Sequence, residues 1–194
     1  RALAGFPNLC PQFHLSLQSG SDSVLRRMNR KYDTARYAES VRLLHTYFPG
    51  CAVTTDLIVG FPGETDEEFR QSLGFVRACG LSKIHIFPYS RRAGTPAAKM
   101  SDQVPNAVKE QRASEAAKVA SELEDAFHTA LIGTEQAVLF EQPEAGFFTG
   151  HAPNYVKVYI EAEDLHNQIR CVRVTGPCRD GVLGELVDGT EKTF

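Results

Sequence analysis

No stretch of this chain is apolar for anything near the ~20 residues that a bilayer crossing needs, and no signal-peptide pattern opens it. It has no Cys-x-x-Cys and no Cys-x-x-x-Cys-x-x-Cys. Its five cysteines, Cys10, Cys51, Cys79, Cys171 and Cys178, are odd in number and scattered. That argues against a disulfide framework and for reduced thiols in a cytoplasmic protein. Cys171 and Cys178 are too far apart for a zinc knuckle and have no matching second pair, so the chain shows no metal or cluster motif of its own. Positive charge is not in excess: 21 Lys and Arg stand against 24 Asp and Glu, a formal net charge of -3, which exerts no global pull on nucleic acid. Gly-x-Gly-x-x-Gly and Gly-Lys-Ser/Thr are both missing, which weakens dinucleotide-fold and ATPase readings. Internal repeats and low-complexity tracts are absent. The chain opens Arg1-Ala2-Leu3 without a Met, and a strand-like segment follows almost at once. This is read as a piece of a larger protein.

What is present begins with Thr54-Thr-Asp56-Leu-Ile-Val-Gly60-Phe-Pro-Gly63-Glu-Thr65. A β-branched run ends in a Gly-Pro-Gly turn that leads straight into a helix start. Thr65 and Glu68 form a Thr-x-x-Glu capping box for a helix that Gly80 stops. This predicts a parallel strand delivering a loop and a helix at its C-terminal end, where α/β folds bind ligands. Around it, Phe13-His-Leu-Ser-Leu17 alternates as a strand. Asp22 caps a short helix through Met28. Thr34 or Asp33 caps a longer one whose Tyr37, Val41, Leu44 and Phe48 share a face. Lys83-Ile-His-Ile-Phe87 is a third strand. The strand-helix-strand rhythm implies parallel strands with right-handed crossovers. Three strands make a poor sheet, so more of it is expected upstream of Arg1, and the open edge makes self-association plausible.

Pro105 introduces a long helix over about 106–131, with Val108, Ala116, Ala120, Leu123, Phe127 and Leu131 at helical spacing; it reads as a packed connector. Beyond Gly133 the pattern turns to short alternating strands over 136–140, 155–160, 169–174 and 182–186, separated by turn residues. That is a small antiparallel barrel of roughly sixty residues with the rhythm of an OB-like module. The domains are therefore placed at 1–132 and 133–194.

Several residues stand out against blander alternatives. Asp56 sits inside an apolar run and shares a strand side with Thr54 and Ile58. It is either a structural carboxylate bonded to backbone amides or part of a ligand site. Gln18 and Ser19 follow the first strand, and Tyr89 and Ser90 follow the third. Each is a turn residue if taken alone, but together with the Gly60 loop they converge at one rim suited to a small polar ligand with a purine part. His14 and His45 have no Cys, His or carboxylate at ligand spacing and read as structural. Arg26, Arg27, Arg30 and Lys31, and also Arg91 and Arg92, are either solvated surface or phosphate contacts. In Gly150-His-Ala-Pro-Asn-Tyr-Val-Lys-Val158, an imidazole, an amide, an aromatic ring and an ammonium stand ready to grip unpaired bases. The acidic balance of that region limits this to an auxiliary grip.

The run His14-Leu-Ser-Leu-Gln-Ser-Gly-Ser21 followed by Val24-Leu-Arg-Arg-Met-Asn-Arg-Lys-Tyr32 resembles the radical S-adenosylmethionine methylthiotransferases that modify tRNA. So do Asp56-Leu-Ile-Val-Gly-Phe-Pro-Gly-Glu-Thr65 and Phe87-Pro-Tyr-Ser-Arg-Arg-Ala-Gly-Thr-Pro-Ala-Ala-Lys-Met100. Gly150 to Val158 is similar to the signature of their C-terminal TRAM domain. The resemblance implies an α/β fold: the C-terminal part of a partial (β/α) radical SAM barrel, then a small antiparallel OB-like barrel. It also implies S-adenosylmethionine and two [4Fe-4S] clusters in the parent enzyme, a methylthio group placed on C2 of an adenosine next to the anticodon, and tRNA as partner. By the same resemblance Gln18, Ser19, Asp56, Ile58, Tyr89 and Ser90 meet the cofactor, and His151, Asn154, Tyr155, Lys157, Arg91 and Arg92 meet RNA. The family's three-cysteine motif and N-terminal sulfur-donor domain are not in this sequence. The chain alone is therefore expected to be inactive and to hold no cofactor. Tyr89 to Pro96 and Gly150 to Tyr155 look most like members acting on N6-threonylcarbamoyladenosine. Members acting on N6-isopentenyladenosine or on a ribosomal protein are the alternatives, and a non-catalytic binding or scaffold module is another.

Overall fold

The computed structural model describes residues 2–6 and 8–191. The chain divides into two compact units, one of Phe13–Pro49 with Val53–Glu124, the other of Arg1–Gln12, Gly50–Ala52 and Asp125–Phe194. Among the described residues no helix is long and apolar enough to cross a membrane.

The first unit is built on a three-stranded sheet in the order β1 (Gln12–His14), β2 (Ala52–Val59), β3 (Lys83–Pro88). β2 and β3 run parallel with Asp56 opposite His85 and Ile58 opposite Phe87; α3 (Asp66–Cys79) makes the crossover. The strand period of two sorts the side chains of β2. Val53, Thr55, Leu57 and Val59 are at most 1% exposed and belong to a core shared with Val24, Leu25, Tyr37, Val41, Phe69 and Val76. Thr54, Asp56 and Ile58 take the other side. α3 starts on the expected capping box: Thr65 Oγ1 accepts from the Glu68 amide, and Glu68 accepts from the Thr65 amide. It ends at Gly80 in the left-handed region, φ 61°.

Of the two preceding helices, the first differs from expectation in its cap. α1 (Asp22–Arg27) has Ser21 at its N-cap, with no side-chain cap bond. Asp22 instead accepts from the Thr34 amide at 2.8 Å. Asp33 caps α2 (Thr34–Tyr47) by accepting from the Arg36 amide. β1 is also shorter than the alternation at 13–17 predicts. Thr55 Oγ1 accepts from the Leu17 amide and donates to the Leu15 carbonyl, a side chain standing in for ladder partners. The chain rejoins β2 only at Gln18, through a bridge to Leu57.

α4 (Asn106–Ala130) leads to the second unit. There β4 (Glu135–Glu144), β5 (Phe147–His151), β6 (Lys157–Ile160), β7 (Ile169–Cys178) and β8 (Gly181–Glu191) close a barrel in the order β4-β5-β6-β8-β7. Four of its five pairings are antiparallel; β6 and β8 pair in parallel. Val138, Phe140, Val158, Val172, Val174 and Val182 fill the interior, each at most 1% exposed. β5 was not anticipated, and the strand expected over 155–160 begins only at Lys157. At Gly150 a Cβ would lie 2.1 Å from the Leu139 carbonyl oxygen. Only glycine permits the close approach of β4 and β5 there.

Candidate functional site

The site begins where β1 gives out. Three consecutive carbonyls, at 15–17, leave the ladder, and buried carbonyls need partners. Tyr37 Oη donates to Leu15, and Tyr32 Oη donates to Ser16 and Leu17. Burial pushes the Tyr37 phenol up to about 12 and also raises Tyr32; both remain protonated donors at neutral pH. The bulge ends at Gln18 with φ 71°. That left-handed geometry is uncommon for a non-glycine residue. It is held by two ladder bonds: the Gln18 amide donates to the Asp56 carbonyl, and the Ile58 amide donates to the Gln18 carbonyl, both at 2.9 Å.

Gln18, Asp56, Ile58, Tyr89 and Ser90 line one cavity of about 500 Å³ at the C-terminal ends of the strands, with Arg92 and Thr95 from the following loop. Five of the six residues anticipated for a cofactor therefore share a wall. The sixth, Ser19, does not line it. Ser19 is fully buried, its hydroxyl 3.2 Å from that of Ser72 and accepting from the Ser21 amide. It supports the rim from behind.

Asp56 is half-buried and bonded to side chains, not to backbone amides. Its Oδ2 accepts from Ser16 Oγ at 3.1 Å and lies 3.2 Å from His14 Nε2. His14 Nδ1 lies 3.0 Å from Thr54 Oγ1. With Nε2 protonated toward the carboxylate, Nδ1 accepts from the threonine hydroxyl. His14 thus has the carboxylate partner that sequence spacing concealed. Tyr89 Oη is buried without a hydrogen bond among the described residues, while its ring stands edge-on to Phe61 at 5.4 Å.

The Gly60-Phe-Pro-Gly-Glu64 loop does not offer its amides to a phosphate. The Gly60 amide donates to Glu64 Oε1 at 2.8 Å, and the Gly63 amide donates to the Asp102 carbonyl. Glu64 is buried, and burial raises its carboxyl despite the Gly60 amide and Arg112 beside it. Arg112 Nη1 donates to the Glu64 carboxylate at 2.8 Å, and Nη2 donates to Asp66 at 2.6 Å. Lys109, one turn earlier, donates to the Tyr89 carbonyl at 3.1 Å. Sequence reading treated this helix as a connector and missed both residues. The only available signal was a Lys and an Arg at i, i+3 in the first turns of α4.

Arg27 forks onto Glu68 with bonds of 2.9 and 2.6 Å, and this bond holds the Glu68 carboxyl down at about 2. It is a structural clamp. Arg91 donates through Nε to the Ala98 carbonyl. In the barrel unit, Asn154 is buried, its Oδ1 accepting from the Val156 amide. It shapes a turn that throws Tyr155 outward, 66% exposed with φ 62°. His151 is 6.4 Å from that ring and paired with Glu141 at 2.7 Å. Lys157 is paired with Glu144 at 2.8 Å and lies over the Tyr159 ring.

Comparison with known proteins decides the lineage. Residues 1–76 match the radical SAM superfamily model. The threonylcarbamoyladenosine tRNA methylthiotransferase of Thermotoga maritima is 37% identical over 188 residues, covering 95% of this chain and 43% of that one. The chain is a homologue of the radical SAM tRNA methylthiotransferases. The tRNA-2-methylthio-N(6)-dimethylallyladenosine synthase of Nocardia farcinica is 46% identical over 138 residues, 71% of this chain and 27% of that one. A solved structure, the radical SAM coproporphyrinogen III oxidase of Escherichia coli, aligns with TM-score 0.49 and 19% identity over 64% of this chain and 28% of its own. The chain spans less than half the length of the methylthiotransferase relatives it matches.

Proposed function

We propose that the cavity between Gln18, Asp56, Ile58, Tyr89 and Ser90 holds the adenosine part of S-adenosylmethionine, in an enzyme that adds a methylthio group to C2 of N6-threonylcarbamoyladenosine in tRNA. The observation that carries this reading is the convergence of Gln18, Asp56, Ile58, Tyr89 and Ser90, from three separate strand ends, on one cavity. A ribose diol donates to the Asp56 carboxylate, and Ile58 offers an apolar surface to a purine. His14 and Ser16 hold the Asp56 carboxylate in orientation, so it meets a ligand without reorganisation. When bound, S-adenosylmethionine supplies the one-electron chemistry at C2 and the methyl group.

The [4Fe-4S] clusters do not fit this chain's own residues. Among those described, no group of three His, Cys, Asp or Glu side chains is placed to hold a metal, and the five cysteines are free and dispersed. We therefore assign the chain a share of the reaction, with cluster ligands and sulfur donor lying outside it. By itself it is inactive. Tyr155 and His151 are its surface for tRNA, with Arg92 at the cavity rim. We assign the segments 1–132 and 133–194 to the cofactor and RNA-gripping parts, in a cytoplasmic protein.

Relatives named for threonylcarbamoyladenosine and for dimethylallyladenosine match at similar identity, which keeps the second substrate as the alternative. The test is nucleoside mass spectrometry of total tRNA from cells with and without the complete gene. Loss of the methylthio group from threonylcarbamoyladenosine alone is the expected result. Loss from the isopentenyl nucleoside retains the chemistry and replaces the substrate. No change in either overturns the reading.

A further inference from the structure

The first turns of α4 reach both strand ends that carry the cavity. The ammonium of Lys109 donates to the carbonyl of Tyr89, the first residue after β3. Its stem lies against Gly60, the first residue after β2. A Cβ on Gly60 would sit 2.2 Å from Lys109 Cγ, and Gly60 has φ 72°. Glycine there serves two needs at once, the backbone angle and the room for this stem. The two strand ends are also tied to each other, since the Tyr89 amide donates to the Val59 carbonyl at 2.8 Å. Three residues further along α4, Arg112 holds the Glu64 carboxylate, which in turn accepts from the Gly60 amide.

These bonds are more than a way of satisfying a buried cation. Lys109 could have been any apolar helix residue if packing against Gly60 were all that mattered. A charged donor fixes the Tyr89 carbonyl, and with it the direction in which Tyr89 and Ser90 leave the strand. Those two residues line the cavity together with Gln18 and Asp56. A shift of even about 1 Å in such a wall costs a bound ligand its hydrogen bonds.

We propose that Lys109 is a positioning residue for the cavity, setting where Tyr89 and Ser90 stand, and that Arg112 does the same for the Gly60 loop through Glu64. This rests on the reading of the cavity as a nucleoside site. It adds to that reading a control point on a helix that does not line the cavity.

The test uses the protein produced from the complete gene, with Lys109→Met as the lead variant. Methionine keeps a stem against Gly60 and removes the donor, together with the cation over the Tyr89 ring at 6.0 Å. Two quantities are read: amide hydrogen exchange over residues 88–97, and the Kd for S-adenosylmethionine. Exchange in that segment is expected to quicken about tenfold, while exchange in the barrel strands stays as in the wild type. The Kd is expected to rise about tenfold. Lys109→Arg, which keeps a cationic donor, is expected to restore most of both. Unchanged exchange over 88–97 overturns the proposal. So does a loss of affinity that tracks a general loss of protection throughout the chain and is not rescued by Arg, because that is a merely structural role. If the wild type does not bind S-adenosylmethionine but Lys109→Met still quickens exchange at 88–97 alone, the positioning role stands and the nucleoside reading of the cavity fails.

Discussion

His14 Nε2 lies 3.2 Å from Asp56 Oδ2, although 42 positions separate the two residues in the chain. The contact crosses from β1 to β2, and Ser16 Oγ donates to the same carboxylate oxygen at 3.1 Å. Asp56→Asn keeps the shape, removes the charge and gives His14 a weaker acceptor. The affinity for S-adenosylmethionine is expected to fall about tenfold or more by isothermal titration calorimetry. Because Asp56 is half-exposed, Tm should shift by only about 2–4 °C. A large loss of Tm with affinity intact would make Asp56 a structural residue.

Arg112 and Glu64 form a buried pair, with side chains 6% and 2% exposed. Arg112→Met leaves the Glu64 carboxyl inside with the Gly60 amide as its remaining partner. The expected loss is about 3–5 kcal/mol in urea unfolding. Glu64→Gln combined with Arg112→Met should recover part of it, since the stranded charge is then gone. A double variant no better than the single one would place the loss in packing against Phe69, over whose ring the guanidinium lies at 5.5 Å.

Glu68 makes a prediction about acid. Its carboxyl is lowered from 4.5 to about 2, first by the hydrogen bond from Arg27. A group whose folded value is depressed contributes stability that is whole above its unfolded value and is lost as pH falls through the folded one. The contribution should therefore be complete above about pH 4.5 and drain away toward pH 2. Glu64 acts in the opposite sense: burial raises it, so protonating it in mild acid favours the fold. Comparing Glu68→Gln with the wild type across this range isolates the first effect. The variant should be less stable at neutral pH and show a flatter acid limb, and parallel curves would remove Glu68 from the account.

Tyr155 and Asn154 are adjacent in sequence and have opposite roles. Tyr155→Ala should weaken binding of an anticodon stem-loop by about tenfold in fluorescence anisotropy with little change in Tm. Asn154→Ala should lower stability by about 1–2 kcal/mol, because the Val156 amide loses its acceptor. Equal RNA affinity for the Tyr155 variant would remove this loop from the tRNA surface.

Short-range chemistry was readable without coordinates. The capping box of α3 needs only Thr65 and Glu68 three residues apart, and the two faces of β2 follow from its period of two. The order of strands and helices, the long helix and the change to a barrel all follow from the same local signals. The misread stretches have physical causes as well. Residues 15–17 alternate as a strand does, yet Tyr32, Tyr37 and Thr55 take their backbone bonds, so the ladder lapses. β5 buries three residues in succession, which erases the alternation that would have announced it.

The sequence by itself therefore determined most of the elements, the rim residues Gln18, Asp56, Ile58, Tyr89 and Ser90, and the lineage of the chain, because each signal rests on residues close together along it. Only the tertiary structure decided that Asp56 is held by His14, that Ser19 turns away from the cavity, and that Lys109 and Arg112 grip its strand ends. Those contacts span 20 to 53 residues. A helix-face Lys or Arg looks like solvated surface until the fold brings a carbonyl or a buried carboxylate within reach, and one-dimensional spacing carries no record of that distance.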